Sequence, residues 1–342
     1  MKMISLKDFL PQGESIAALI RQIREGTLPH ALMISGEEGT GKWTLAQAIA
    51  ASLLCESPDA GAEPCGRCKS CEQIRQLAHP DLTVLKKGEP LVPTTTKTVI
   101  PVSDVQEMIR RIGRKGYQSD RHVVIIRHAE DLDAQAQNNM LKTLEDPPAD
   151  VYFFLTCIHA EKVLPTVISR CRPLVLHAWK IKDILSVLQQ EGITGAIAEN
   201  AALEADGSFG KALKIAGDSH YWEFRNEVIQ DFLQRRERSE IPQISSKWKD
   251  RKDEADAALS VVENFFSRIV RLKLGVPSLQ KDSSDIPQVW QDFARKADLS
   301  LVIRMQDAVA NARKQIYFSI NIQAVVEQLI LTFLEALDLC SI

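Results

Sequence analysis

A short apolar run, ALMIS (31–35), leads into Gly36-Glu-Glu-Gly39-Thr40-Gly41-Lys42 and then into KWTLAQAIAASLL (42–54), a helical stretch. Strand, glycine-rich loop, helix is the opening of a βαβ unit. It constrains everything after it. A parallel strand is buried on both faces, so more strands and covering helices must follow. The sequence supplies them. Strands are expected at 81–85, within HVVIIRHAEDL from residue 122, at 151–157 and at 173–177. Between them lie a short helix at 71–78, a helix at 103–113 opened by a Ser cap, one at 134–145 stopped by Pro147-Pro148, and a short one at 164–171. A further helix, 14–25, ends at Gly26. Residues 56–64 and 86–98 read as loops. The fold class expected for 1–177 is α/β, a parallel sheet with helices on both faces.

After 178 strand signals stop. Three short helices are expected at 181–190, 194–205 and 207–217, making a small helical domain over 178–218. From 219 to 342 only long helical patterns occur, at 221–235, 254–274, 287–296, 299–316 and 321–338, with polar stretches 236–251 and 276–285 between some of them. The 342 residues suffice for two or three domains at roughly 100–200 residues each. With 42 basic and 45 acidic side chains, the net charge of −3 excludes a globally basic nucleic-acid binder, though not a local basic patch. No apolar stretch reaches the roughly 18 residues needed to span a bilayer. The N-terminus meets Asp8 and Pro11 before a signal-peptide core could form. The expectation is a soluble, cytoplasmic protein with no membrane partner.

Gly36, Gly39, Gly41 and Lys42 fit most of the phosphate-loop pattern G-x-x-x-x-G-K-[ST]. Glycines let backbone N–H groups curl around phosphates, and a helix N-terminus adds a positive dipole. The last position fails, because Trp43 stands where a hydroxyl should hold Mg²⁺. The third strand should end in carboxylates that hold the same ion. It ends instead in Arg127-His128, and Glu130 and Asp131 are expected to face solvent. The reading is a nucleotide-site fold that has lost hydrolysis, and ATP binding by this loop is not implied.

Cys55, Cys65, Cys68 and Cys71 form C-x9-C-x2-C-x2-C. Four thiolates at this spacing close a tetrahedral site, usually for structural Zn²⁺. An iron–sulfur cluster or buried free thiols are the alternatives. Cys157 and Cys171 read as core thiols. Arg170, in Ser169-Arg170-Cys171, reads on spacing alone as a surface arginine, or else as a cation reaching a neighbour's nucleotide. Arg110, Arg111, Arg114, Lys115 and Arg121 cluster around one helix end, as a solvated face or a phosphate contact. His30, His79 and His122 lack a partner motif.

Together these residues resemble the clamp-loader subunits of bacterial DNA polymerase III, members of the AAA+ family. LPHALMISGEEGTGK resembles the family's strand and phosphate loop. The four cysteines match its zinc module, inserted at 55–71. NNMLKTLEDPP (138–148) is similar to the run before its sensor strand, ISRC (168–171) to its arginine-finger motif, and NIQAVVEQLILTF (321–333) to the last helix of its collar. The resemblance implies an AAA+ module with a helical lid and an all-α collar. It also implies that Arg170 acts on a neighbouring subunit's ATP. The implied partners are the gamma/tau and delta subunits in a hetero-pentamer, with the sliding clamp and primer-template DNA reached through that complex. Trp43, Arg127, His128 and Gly210, the last standing where ATPase members carry a sensor arginine, point to the non-hydrolysing member of the polymerase III assembly. A gamma/tau-like motor with degenerate motifs is the alternative within the family. A stand-alone zinc-containing DNA-binding protein is the alternative from another class.

Overall fold

Five strands make one sheet: β1 (Ala31–Ser35), β2 (Leu82–Leu85), β3 (His122–Ile126), β4 (Val151–Cys157) and β5 (Arg172–Val175). Their order is β2-β3-β4-β1-β5, and every pairing is parallel. The computed structural model describes residues 5–59, 62–93, 98–275, 286–318 and 321–340. The polar stretch at 276–285 and parts of the loops at 56–64 and 86–98 lie outside the described residues. The chain divides into two units, Met1–Leu213 and Lys214–Ile342.

In the first unit the sheet is covered twice. Helices α1 (Glu14–Glu25), α2 (Lys42–Leu54) and α3 (Lys69–Arg75) precede α4 (Val102–Ile112) and α5 (Ala134–Glu145). Val105 and Met108 of α4 and Met140 and Leu144 of α5 share a core with Met33, Val124, Ile126, Phe153 and Leu155. The alternate strand residues Leu32, Ile34, Val123, Ile125 and Phe154 are equally buried, and α2 packs on β1, β3 and β4. Alternation along each strand sends these two sets to opposite faces. Helix α2 is apolar nearly all round, as a helix enclosed on every side must be. After α6 (Pro165–Ile168) and β5, the helices α7 (Ile181–Gln190), α8 (Gly195–Glu204) and α9 (Phe209–Ala216) follow, the last crossing the division between the units.

Local details depart from the sequence reading. Helix α4 starts after Pro101 with no side-chain cap, so Ser103 is not the cap. Asp104, in the first turn, instead accepts a bond from the Val92 N–H at 3.2 Å and ties down the preceding loop. Helix α6 is one turn long, which leaves Arg170 just beyond it.

A 3-10 segment, Leu6–Gln12, has no periodic signal because it is short and contains Pro11. It is pinned at both ends. The buried Glu63 carboxylate, from the cysteine-bearing loop, accepts bonds from Ser5 Oγ (2.6 Å) and from the Leu6 and Lys7 N–H groups (both 3.1 Å). Gln12 exchanges two bonds with the His177 backbone.

The second unit is all helix: α10 (Ser219–Val228), a π-turn Ile229–Leu233, α11 (Ile241–Lys247), α12 (Lys252–Lys273), α13 (Gln288–Lys296), α14 (Leu299–Tyr317) and α15 (Ile322–Leu339). Helix α11 corrects the reading of 236–251 as a polar separator, since it buries Ile241 and leads to the fully buried Trp248. The core is aromatic. Trp290 meets Phe266 at 5.2 Å and Phe293 at 5.1 Å between ring centres, both edge-on. Arg251 lies 4.3 Å from the Trp248 ring centre and grips Glu227 with both guanidinium arms, at 2.8 and 3.1 Å.

Among the described residues no helix is long and apolar enough to cross a membrane.

Candidate functional site: a closed phosphate loop, a four-cysteine cluster and a tethered arginine

The loop at 36–41 follows β1 at the carboxyl end of the sheet, where open α/β sheets hold their ligands. Its glycines are pressed against the protein's own chain. A Cβ on Gly36 would meet the Leu176 carbonyl oxygen at 2.3 Å, and one on Gly39 would meet Ser208 Oγ at 1.8 Å. Both glycines also have positive φ, 149° and 76°, so a side chain is excluded by backbone and by space. The Gly210 N–H donates to the Gly39 carbonyl at 3.0 Å, and Trp179 Nε1 donates to the Thr40 carbonyl at 2.8 Å. Phe9, its ring tilted against that of Trp179 at 5.8 Å between centres, closes on Gly41. Lys42 is buried and donates to the Gly36 and Glu37 carbonyls at 2.8 and 2.7 Å. Burial pulls its pKa down, against the opposing charge of Glu130. Of the groups that would receive a phosphate, the Lys42 ammonium is spent on the loop's own carbonyls.

Two departures from the pattern meet in space. The Arg127 guanidinium sits 5.4 Å from the centre of the Trp43 ring, a cation–π contact. Next to it His128 has a left-handed backbone (φ 60°), and its N–H donates to Thr156 Oγ1 at 3.0 Å. Glu130 does not face solvent as expected. Its side chain is only 8% exposed. One carboxylate oxygen accepts the Ile158 N–H at 2.8 Å, so the residue is turned inward to hold the end of β4. The other oxygen is buried without a hydrogen-bond partner.

The four cysteines converge, with every pair of Sγ atoms within 4.8 Å. Cys55 ends α2 and Cys68 caps α3, so the cluster ties two helix ends together. The Cys65, Cys68 and Cys71 N–H groups point at the sulfurs of Cys55, Cys65 and Cys68, at 3.3, 3.4 and 3.4 Å. Backbone N–H groups of Arg67 and Cys68 pull the Cys65 thiol down to about 6, whereas burial pushes Cys55 and Cys71 up. Tetrahedral Zn²⁺ at Zn–S distances of about 2.3 Å sets sulfurs about 3.8 Å apart, which this cluster meets with little movement. The donor set fits that ion and could hold it.

Arg170 follows α6 and is half-buried. It pairs with Glu145, the last residue of α5, and its Nη1 donates to the Thr166 carbonyl at 2.8 Å. Arg110 and Arg111 both grip Glu107, and Arg121 reaches the Leu53 carbonyl at 3.3 Å. Arg114 and Lys115 are exposed. The three histidines make ordinary internal bonds: His30 with the Leu144 carbonyl, His79 with Ser70, and His122 with Thr83. Burial pulls His79 and His122 below the usual histidine range.

Residues 11–180 match the sequence model of the family described as "DNA polymerase III, delta subunit". The chain is 26% identical to DNA polymerase III subunit delta' of Bacillus subtilis over 95% of its own length and 96% of the relative's. The chain resembles the delta-prime subunits of DNA polymerase III. The delta-prime subunit of Escherichia coli is 32% identical over 62% of this chain and spans 61% in its own length. Among solved structures, a DNA polymerase III gamma subunit-related protein from Thermotoga maritima aligns over 95% of this chain and all of its own, at 18% identity and a TM-score of 0.44.

Glu63, Phe9 and Trp179 carry no signal in the sequence, and Glu145 lies in the 138–148 run with nothing there to single it out. Each acts through a partner far along the chain, and no local pattern marks such pairs.

Proposed function

We propose that this chain is the delta-prime subunit of a DNA polymerase III clamp loader, which hydrolyses no ATP itself and lends Arg170 to an adjacent gamma/tau subunit. One observation carries the reading: Arg127 packs on Trp43 where a hydroxyl and a carboxylate would hold Mg²⁺. A cation in that place repels the metal that phosphoryl transfer needs. The phosphate loop, with Lys42 folded onto its own carbonyls, supports the same conclusion.

In this reading residues 1–177 are the AAA+ α/β module, 178–218 the lid and 219–342 the collar that joins gamma/tau and delta in a pentamer. The assembly opens the sliding clamp and places it on primed DNA in the cytoplasm. Cys55, Cys65, Cys68 and Cys71 hold a structural zinc. When bound, that ion would displace the four thiol protons, leave four thiolates sharing one Zn²⁺, and fix the 56–70 loop. Arg170 supplies positive charge to a terminal phosphate held by the neighbour.

Reconstitution tests this. The chain should co-elute with gamma/tau and delta, and clamp loading should require it. Tight DNA binding by the isolated chain, with no co-elution, would favour the stand-alone zinc protein. Robust ATP turnover by the isolated chain would favour the gamma/tau-like motor.

A further inference from the structure

Arg170 is tethered in the folded chain. A guanidinium has five N–H donors in a fixed fork. Here Nη2 serves the Glu145 carboxylate, while Nη1 serves the Thr166 carbonyl at 2.8 Å and leans on Ser169 Oγ at 3.4 Å. Nε is buried and has no acceptor. A two-pronged grip on a phosphate needs two donors facing outward together, and this arrangement does not offer them.

We propose that Glu145 is a resting latch. Arg170 is parked on this carboxylate until a neighbour's nucleotide presents its terminal phosphate, which then takes the place of Glu145. The proposal rests on the reading of Arg170 as a finger.

Four features support a latch over a permanent brace. The parked state leaves Nε unmet, so a move that gives Nε an oxygen is favoured over staying. The pair is near the surface, with side chains 29% and 53% exposed, so solvent weakens it and it can break. A terminal phosphate carries more charge and more oxygens than a carboxylate, so it wins the exchange. Glu145 is also the last residue of α5, so its position is fixed by the helix and not by Arg170.

The test uses the full chain, free and reconstituted with gamma/tau and delta. In the free chain, the rate at which phenylglyoxal modifies Arg170 is followed by peptide mass mapping. Glu145→Gln should raise that rate about two- to fivefold, the range a partly exposed ion pair supports. In the loader, Glu145→Gln should raise ATP hydrolysis measured without clamp or DNA by a similar factor. The Glu145→Gln, Arg170→Ala double variant should match Arg170→Ala alone. The latch is overturned if Glu145→Gln leaves Arg170 reactivity unchanged, or if it lowers hydrolysis in step with Arg170→Ala, which would make Glu145 a brace for the working position. If Arg170→Ala has no effect on hydrolysis, the finger reading fails, while the reactivity measurement still judges the latch.

Discussion

Arg127 and Trp43, from the end of β3 and the start of α2, stack at 5.4 Å. Each departs from the pattern of a phosphate-loop nucleotide site. As a pair they stabilise one another, so reverting one leaves the other without its partner. Trp43→Thr, Arg127→Asp and the double variant should therefore all stay at background in steady-state phosphate release by the isolated chain. Even the double variant leaves Ser208, Gly210 and Trp179 closed on the loop. Turnover restored by the double variant, and lost again with Lys42→Ala, would show that the closure is not an obstacle.

Metal content is the second expectation. Native mass spectrometry should find about one zinc per chain. Cys68→Ser should lose it, because a hydroxyl can still accept the Cys71 N–H that caps α3 but offers the ion no thiolate. The thermal midpoint should fall too, by about 2–4 °C for each kcal/mol lost in a unit of this size. A metal-free preparation with an unchanged midpoint would remove the structural role.

For Arg170, substitution by Ala should leave the free chain folded, because its one ion pair is partly exposed and worth at most about 1 kcal/mol. In the loader the single site it serves should slow by roughly 10³–10⁵-fold, though the remaining sites mask much of this in bulk rates. Clamp loading is the sharper assay. Arg170→Lys should rescue poorly, since an ammonium lacks the planar fork. Wild-type loading by the Ala variant would return Arg170 to the surface.

The fourth expectation is a pH dependence. Hydrogen bonds from Arg251, joined by Lys247, hold Glu227 at about 2, below the ordinary carboxylate range. A depressed folded pKa means the group binds more protons unfolded than folded. Its stabilisation is thus present above about pH 4.3, the unfolded value, and fades as pH falls towards 2. Glu227→Gln should lower the thermal midpoint at pH 7 and flatten its fall between pH 4.3 and 2. A variant whose midpoint follows the parent across that range would show the group contributes nothing.

The α/β unit was legible because its signals are local. β1, α1, α2 and α5 fall where apolar period, Gly26 and Pro147-Pro148 put them. The four cysteines were legible because their ligand spacing is short. Glu130 was misread because an acidic residue after a strand reads as solvated, and only the fold brings the Ile158 N–H to it. Helix α11 was missed because its seven residues are mostly polar and its burial depends on Ile241 and Trp248. The packing of Ser208 on the glycine loop was invisible because Gly39 and Ser208 lie far apart along the chain and only the fold brings them together.

The segment Leu6–Gln12 is made well before the groups that pin it, so it settles late. One pin waits for Glu63, and the other for His177, 165 residues after Gln12. At roughly 5–20 residues per second, a growing chain takes on the order of ten seconds or more to cover that distance. Throughout that interval Phe9 cannot be held over Gly41 from both sides. The nascent α/β unit therefore passes through a period with its glycine loop uncovered, and order of synthesis, rather than sequence alone, decides when the loop closes.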